Sequence, residues 1–268
     1  MFKILRLISV TLAAAMALVA PAALLAAPAA AEIGVVVMHG KGGGPGKHVN
    51  GLAAAFERAG FQVANLNMPW SHKRRYDVAM NGGVDEITRA LYAMCAKGVN
   101  KVFVAGHSQG GLFAVYYAGL HRVDGILPIA PGGQVDAASN VANLAPYVEK
   151  ARQMISAGRG NEKADFAEFE GAKGSIALTT TAAIYLDWFD PNGAHTSRVF
   201  KSVKEGTPVL YVAPTRDYPG LARSKQQSFA ALPSHPKSRL YEPDSDHMNA
   251  PDATAEEAVR WIRGVAEQ

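Results

Sequence analysis

Gly106-His107-Ser108-Gln109-Gly110 is the stretch of this chain whose residue types and spacing best suit chemistry. It fits G-x-S-x-G, a serine with a glycine two residues away on either side. Residues 101–105 read as a strand before it, and Leu112, Val115, Tyr116 and Gly119 suggest a helix straight after. A sharp strand-to-helix turn pushes a serine hydroxyl out at the carboxyl end of a sheet. The glycines are needed because a Cβ at either place would clash in so tight a turn. The helix start beneath offers backbone N–H groups to developing negative charge. A serine becomes nucleophilic when a base takes its proton, and a third group orients the base. Two later stretches hold such groups: Pro214-Thr215-Arg216-Asp217 and Asp244-Ser245-Asp246-His247.

Residues so far apart in the chain need a scaffold that brings them to one edge. The apolar run at 33–38 and the short stretches at 61–66, 101–105, 125–130, 208–213 and 238–241 read as six strands. Helical patterns separate them. Val49, Leu52, Ala53 and Phe56 recur at helical spacing until Gly60 stops the helix. Val84, Ile87, Leu91, Met94 and Cys95 form a second apolar stripe, which predicts a buried, inert thiol at Cys95. Leu221, Lys225 and Phe229 suggest a third. Thr254-Ala255-Glu256-Glu257 reads as a capping box opening a terminal helix, with Ala258, Val259, Ile262 and Val265 on one face. This alternation predicts an α/β fold: a mostly parallel sheet of about six strands with helices on both faces. Residues 131–206 break the pattern and show no clear strand, which predicts a helical, cap-like insertion within one domain spanning 32–268. Its aromatic group Tyr185, Trp188 and Phe189 suits either an acyl pocket or the insertion's own core. Sites of open α/β sheets lie beyond the carboxyl ends of the strands. Asp217 follows the fifth predicted strand and His247 the sixth.

With the elbow at 106–110, the His-Gly loop at 39–44, the acid at 217 and the late histidine at 247, the chain resembles the α/β-hydrolase superfamily, of serine esterase and lipase type. The resemblance covers essentially everything after residue 31. It implies Ser108 as nucleophile, His247 as general base and then acid, and Asp217 as the group orienting the imidazole. It implies an oxyanion hole built from the N–H of Gln109 and that of Lys41 or Gly42. The family usually has two antiparallel strands ahead of the first loop, and these are expected to be missing here. The implied reaction is cleavage of a small-molecule carboxylic ester through an acyl-enzyme, with no metal or cofactor. The same machinery cleaves thioesters and amides, and no residue here separates these. The fold also serves as a non-catalytic binding module. Against that stand the intact serine, acid and histidine, which a pure binder does not need.

Other residues compete for these roles. Asp136 follows the fourth predicted strand, where some family members carry the acid. Asp246 adjoins the histidine, which usually points it elsewhere. His39 and His107 belong to the loop and the elbow and are expected to shape the backbone. His235 precedes the last strand and so belongs at the wrong end of the sheet. A phosphate-binding loop ending at Lys47 needs Gly at 41 and Ser or Thr at 48, where the chain has Lys41 and His48. His72-Lys73-Arg74-Arg75 is the one basic cluster, read as a solvated loop rather than an anion site.

Composition narrows the class further. The chain has 268 residues, 49% apolar and 19% charged, too apolar for disorder. One cysteine allows neither an internal disulfide nor a cysteine-based zinc cluster. Lys3 and Arg6 precede an uncharged run at 7–20, and alanines lead to Ala29-Ala30-Ala31. That order predicts a secretory signal peptide over 1–31, cut before Glu32, and an exported protein, periplasmic or secreted. Its removal leaves no membrane anchor and lowers the formal charge from +4 to +2, since Lys3 and Arg6 go with it. Nothing then suggests a nucleic-acid partner. The oligomeric state leaves no mark in the sequence.

Overall fold

A computed structural model describes residues 32–171 and 173–267. The predicted leader at 1–31 lies outside these residues. The first apolar run becomes strand β1 (Ile33–Met38), buried at every position. Full burial of a β-rich run is the mark of a strand covered on both faces. The chain continues through α1 (Asn50–Arg58), β2 (Gln62–Leu66), α2 (Met80–Cys95), β3 (Lys101–His107), α3 (Gln109–Leu120) and β4 (Gly125–Ile129). After β4 come α4 (Ala138–Ser156), β5 (Lys163–Glu170), β6 (Gly174–Thr181), α5 (Ala182–Phe189) and a 3₁₀ turn at Ser197–Ser202. The last elements are β7 (Leu210–Val212), α6 (Pro219–Ala230), β8 (Arg239–Tyr241) and α7 (Ala250–Ala266). Among the described residues the main sheet has six strands in the order β2-β1-β3-β4-β7-β8, all parallel.

Alternation along the strands divides the core. Ile33, Val35 and Val37 face Leu52, Phe56, Trp261 and Ile262 of α1 and α7. Val36 and Met38 face Met80, Ile87, Leu112 and Phe113 of α2 and α3. The sheet is thus a middle layer with helices on both sides, as the sequence predicts.

Three local expectations are corrected. Residues 163–181 are not strandless: β5 and β6 form an antiparallel hairpin, with Lys163 opposite Thr181 and Glu170 opposite Gly174. Helix α7 begins a turn before Thr254. Its N-cap is Asn249, and Thr254 sits inside the helix with its hydroxyl donating to Ala250 O at 2.7 Å. Pro251 fits the first turn, where its missing N–H costs nothing. Cys95 is exposed, not buried. Met94 takes the buried place at the end of the stripe and turns the next residue outward. Among the described residues, no helix is long and apolar enough to cross a membrane.

The aromatic group proves to be core. Trp188 is fully buried, with ring centroids 5.8 Å from Trp70, 5.5 Å from Phe113 and 5.4 Å from Tyr76. Its indole N–H donates to Val78 O at 2.9 Å. Tyr185 and Phe189 stack beside it. This knot fastens the excursion between β4 and β7 to α3 and to the loop after β2. Trp188→Ala removes a large buried side chain and leaves the Val78 carbonyl unpaired. It should destabilise the protein by about 3–5 kcal/mol, read as a lower urea midpoint with an unchanged slope.

Candidate active site

Ser108 sits where β3 turns into α3. Its backbone is at φ 53° and ψ −116°, a strained conformation for a residue with a Cβ. Several bonds hold it there. Ser108 N donates to Ile129 O at 2.8 Å, extending the β3–β4 pairing. Ser108 O accepts from Leu112 N at 3.0 Å and from Gly132 N at 3.1 Å. The flanking glycines are obligatory. A Cβ on Gly106 would lie 2.2 Å from Gly110 O, and one on Gly110 would lie 2.7 Å from His39 O.

The loop after β1 runs against this turn. A Cβ on Gly40 would come within 3.2 Å of Ser108 Cβ. The loop is pinned from the other side: Gly42 N donates to Trp70 O at 2.9 Å and Trp70 Nε1 to His39 O at 2.8 Å. His39 Nδ1 donates to Gly40 O at 2.7 Å, which leaves Nε2 to accept from Met68 N at 3.1 Å. Gly42 therefore has no N–H to spare. The N–H of Lys41 has no partner among the described residues. Nor has the N–H of Gln109, the first residue of α3. Of the two candidates for the second oxyanion donor, only Lys41 keeps its N–H free.

Asp217 and His247 meet because the β7–β8 pairing continues past the strands. Ala213 N donates to Tyr241 O at 2.9 Å, Thr215 N to Pro243 O at 3.0 Å, and Arg216 N to Ser245 O at 3.0 Å. The two loops are zipped together, with an Arg216–Asp244 ion pair on their outer side. At their tips His247 Nδ1 lies 2.7 Å from Asp217 Oδ1, with both side chains at most 5% exposed. Tyr218 N also donates to Asp217 Oδ1, at 2.7 Å. The Tyr218 ring stacks on the imidazole of His247 at 4.3 Å. The elbow is tied to the same place, since His107 Nε2 donates to His247 O at 2.8 Å. Ser108 Oγ itself makes no hydrogen bond among the described residues. Such a link often tightens only when substrate binds.

No family model matches the chain, and no curated protein does. Solved structures do. One from work on LipS and LipT, two metagenome-derived lipolytic enzymes, superposes at a TM-score of 0.60 with 20% identity, covering 87% of this chain and 94% of that one. The monoacylglycerol lipase of Paleococcus ferrophilus gives a TM-score of 0.58 at 18% identity over 87% and 94%. The α/β hydrolase GrgF of Penicillium sp. sh18 gives 0.66 at 11% identity over 88% and 91%. This chain has the α/β-hydrolase fold. Within that fold the structure brings Ser108, His247, Asp217, Lys41 and Gln109 to one sheet edge.

The competing residues are engaged elsewhere. Asp136 accepts from Ser197 N at 2.9 Å and Ser197 Oγ at 2.5 Å. Asp246 accepts from Asn249 N at 2.9 Å at the start of α7. His235 lies ahead of β8, at the opposite end from His247, and accepts from Lys237 N. Arg74 is not a solvated charge. It pairs with Glu86 at 2.7 Å and with Asp77 at 3.0 Å and donates to Asn67 O.

Sequence reasoning missed several residues around the site. Tyr76 lies 3.2 Å from the Gln109 side chain, and Glu168 on the hairpin lies 3.7 Å from Lys41. His195 is buried, and its Nε2 has no hydrogen-bond partner among the described residues. Signals for the hairpin existed: Gly171 and Gly174 bracket a turn, and Ile176 and Thr179 to Thr181 favour a strand. Tyr76 and His195 carry no comparable signal.

Three histidines of this region are held neutral. Burial, helped by the neighbouring His247, pushes His107 down to about 3. Burial, helped by the Lys41 charge, does the same to His195. Burial lowers His39 as well. In the unfolded chain such groups take a proton near their ordinary value of about 6.5. Between about 3 and 6.5 the unfolded chain therefore binds more protons. Stability is full above pH 6.5 and is lost as the pH falls toward 3. Urea melts from pH 7 to pH 4 should show a loss on the order of a few kcal/mol, and His195→Gln should flatten the decline.

Proposed function

We propose that this protein is a serine hydrolase that cleaves a small-molecule carboxylic ester through an acyl-enzyme intermediate. The observation that carries the reading is the buried Asp217–His247 pair at 2.7 Å, tied through His107 to a serine on a strained strand-to-helix turn. Asp217 accepts from Nδ1–H of His247, which leaves Nε2 free to take a proton. Ser108 Oγ attacks the carbonyl carbon and passes its proton to Nε2. The oxyanion that forms accepts from the free N–H groups of Lys41 and Gln109, at the positive end of α3. His247 then protonates the leaving alcohol. In the second half His247 takes a proton from water, hydroxide attacks the acyl carbon, and the acid leaves with Ser108 restored.

Two observations favour an ester with an apolar part. Tyr218 and Met248 stand exposed next to His247 and put apolar surface at the mouth of the site. The lipolytic enzyme and the monoacylglycerol lipase that share this fold act on lipid esters, which supports the same substrate class here. A fluorophosphonate probe should label the wild-type protein and not Ser108→Ala. Folded wild-type protein that stays unlabelled would overturn the reading. On p-nitrophenyl esters of rising chain length, Ser108→Ala should lower kcat about 10⁶-fold and Asp217→Asn about 10⁴-fold.

Export belongs to the same proposal, and it rests on the charge and apolar pattern of 1–31. Protein recovered after expression with its own leader should have the intact mass of a chain beginning at Glu32. A mass that still includes residues 1–31 would refute export with cleavage.

A further inference from the structure

The two N–H groups assigned above to the oxyanion belong to Lys41 and Gln109, and the side chains of both residues run toward one carboxylate. Lys41 Nζ donates to Phe169 O at 3.1 Å and lies 3.7 Å from Glu168 Oε2. Tyr76 Oη lies 2.9 Å from that same Oε2 and 3.2 Å from Gln109 Oε1. The phenol has one proton, which a three-centre bond shares between the carboxylate and the amide oxygen. Burial, reinforced by Glu168, holds that proton on Tyr76 well above the ordinary phenol range. Tyr76 and Gln109 are buried, and the side chains of Lys41 and Glu168 are only 15% and 12% exposed. Little water is left to compete for these bonds, so each counts for more than it would at the surface.

The four residues come from four separate parts of the chain: the loop after β1, the loop after β2, the start of α3, and the β5–β6 hairpin. The loop bearing Lys41 has glycine at 40, 42, 43, 44 and 46, so it relies on hydrogen bonds to hold its shape. The peptide that offers the free N–H, Gly40–Lys41, is held on its carbonyl side by His39 Nδ1 at 2.7 Å and by Gly43 N at 3.1 Å. The Lys41 side chain spans from that peptide to the hairpin.

We propose that Glu168 is a positioning residue for the oxyanion hole. It holds Lys41 through the ion pair and Gln109 through Tyr76, and so sets the spacing of the two N–H groups. This rests on the ester-hydrolase reading. The hairpin then does more than cover the site: it completes the geometry that stabilises the tetrahedral intermediate. Donors aimed at an oxyanion act on the transition state far more than on the bound ester. Loosening them lowers kcat and leaves KM nearly unchanged.

The test compares wild type with Glu168→Gln and Tyr76→Phe, with Asp165→Asn on the same hairpin as control. Each is assayed on p-nitrophenyl butyrate and titrated with an alkyl boronic acid, whose adduct with serine carries a tetrahedral oxyanion. Glu168→Gln keeps the shape and removes the charge. It should lower kcat about tenfold or more, since misplacing a catalytic group by 1 Å costs up to about 100-fold. KM should stay within about twofold, and the boronic acid should bind more weakly by the factor seen in kcat. Tyr76→Phe should move both readouts the same way, and the double variant should be little worse than the stronger single one. Asp165→Asn should match wild type. Wild-type kcat in Glu168→Gln, or a raised KM at unchanged kcat, would overturn the proposal. If Glu168→Gln does not fold, Tyr76→Phe, which loses one hydroxyl, decides by the same readouts. Wild-type protein inert to both ester and fluorophosphonate would defeat the hydrolase reading itself. Active wild type with unaffected variants defeats only the role of Glu168.

Discussion

The backbone of Ser108 is the constraint on which the rest of this structure depends. A non-glycine residue at φ 53° and ψ −116° costs roughly 1–3 kcal/mol and persists only when its surroundings leave no alternative. Here they leave none. Ile129 takes its N–H, Leu112 and Gly132 share its carbonyl, and glycines at 106 and 110 let strand and helix approach. The geometry lifts one hydroxyl clear of the sheet and leaves the next N–H, that of Gln109, unpaired. The loop after β1 can pass against the turn because Gly110 has no Cβ to strike His39 O. Packing therefore brings the loop that bears the free N–H of Lys41 against Ser108, at Gly40.

A parallel sheet does the remaining assembly. All six strands end at the same edge, so loops that are distant in sequence become neighbours in space. Asp217 and His247 show how finely that is tuned. Strands β7 and β8 are only three residues each, yet their pairing runs on as loop-to-loop hydrogen bonds to Arg216 and Ser245. The two side chains stand at the end of that zipper. A slip in the register of either strand would separate them.

The central strands β1, β4 and β7 are legible in the sequence because they are buried along their whole length, and the elbow because its turn demands glycine. The β5–β6 hairpin is not legible in the same way. Its strands are half-exposed, and Lys163-Ala164-Asp165-Phe166 reads as polar chain because one face meets water. Cys95 continues an apolar stripe on paper, but Met94 already fills the last buried place. Helix α7 starts a turn before the apparent box, with Asp246 accepting from Asn249 N and Pro251 in the first turn, while the Thr254 hydroxyl is spent on Ala250 O. Tyr76 escapes for another reason. It is a bulky residue at φ 57°, fixed by what packs around it, and no local pattern specifies that.

The choice among histidines follows from environment rather than sequence order. His39, His107 and His247 lie close together, with the His107 and His247 rings 4.9 Å apart. Several protonatable rings in one site would blur which of them accepts a proton. Burial removes that ambiguity for His39 and His107, whose charged forms it disfavours, and each is already committed to a backbone carbonyl. Only His247 faces a carboxylate, so only its ring gains an anionic partner when it becomes imidazolium. The same His107 ring that is kept from titrating donates to the His247 carbonyl, so the neutral histidine helps hold the one proposed to react.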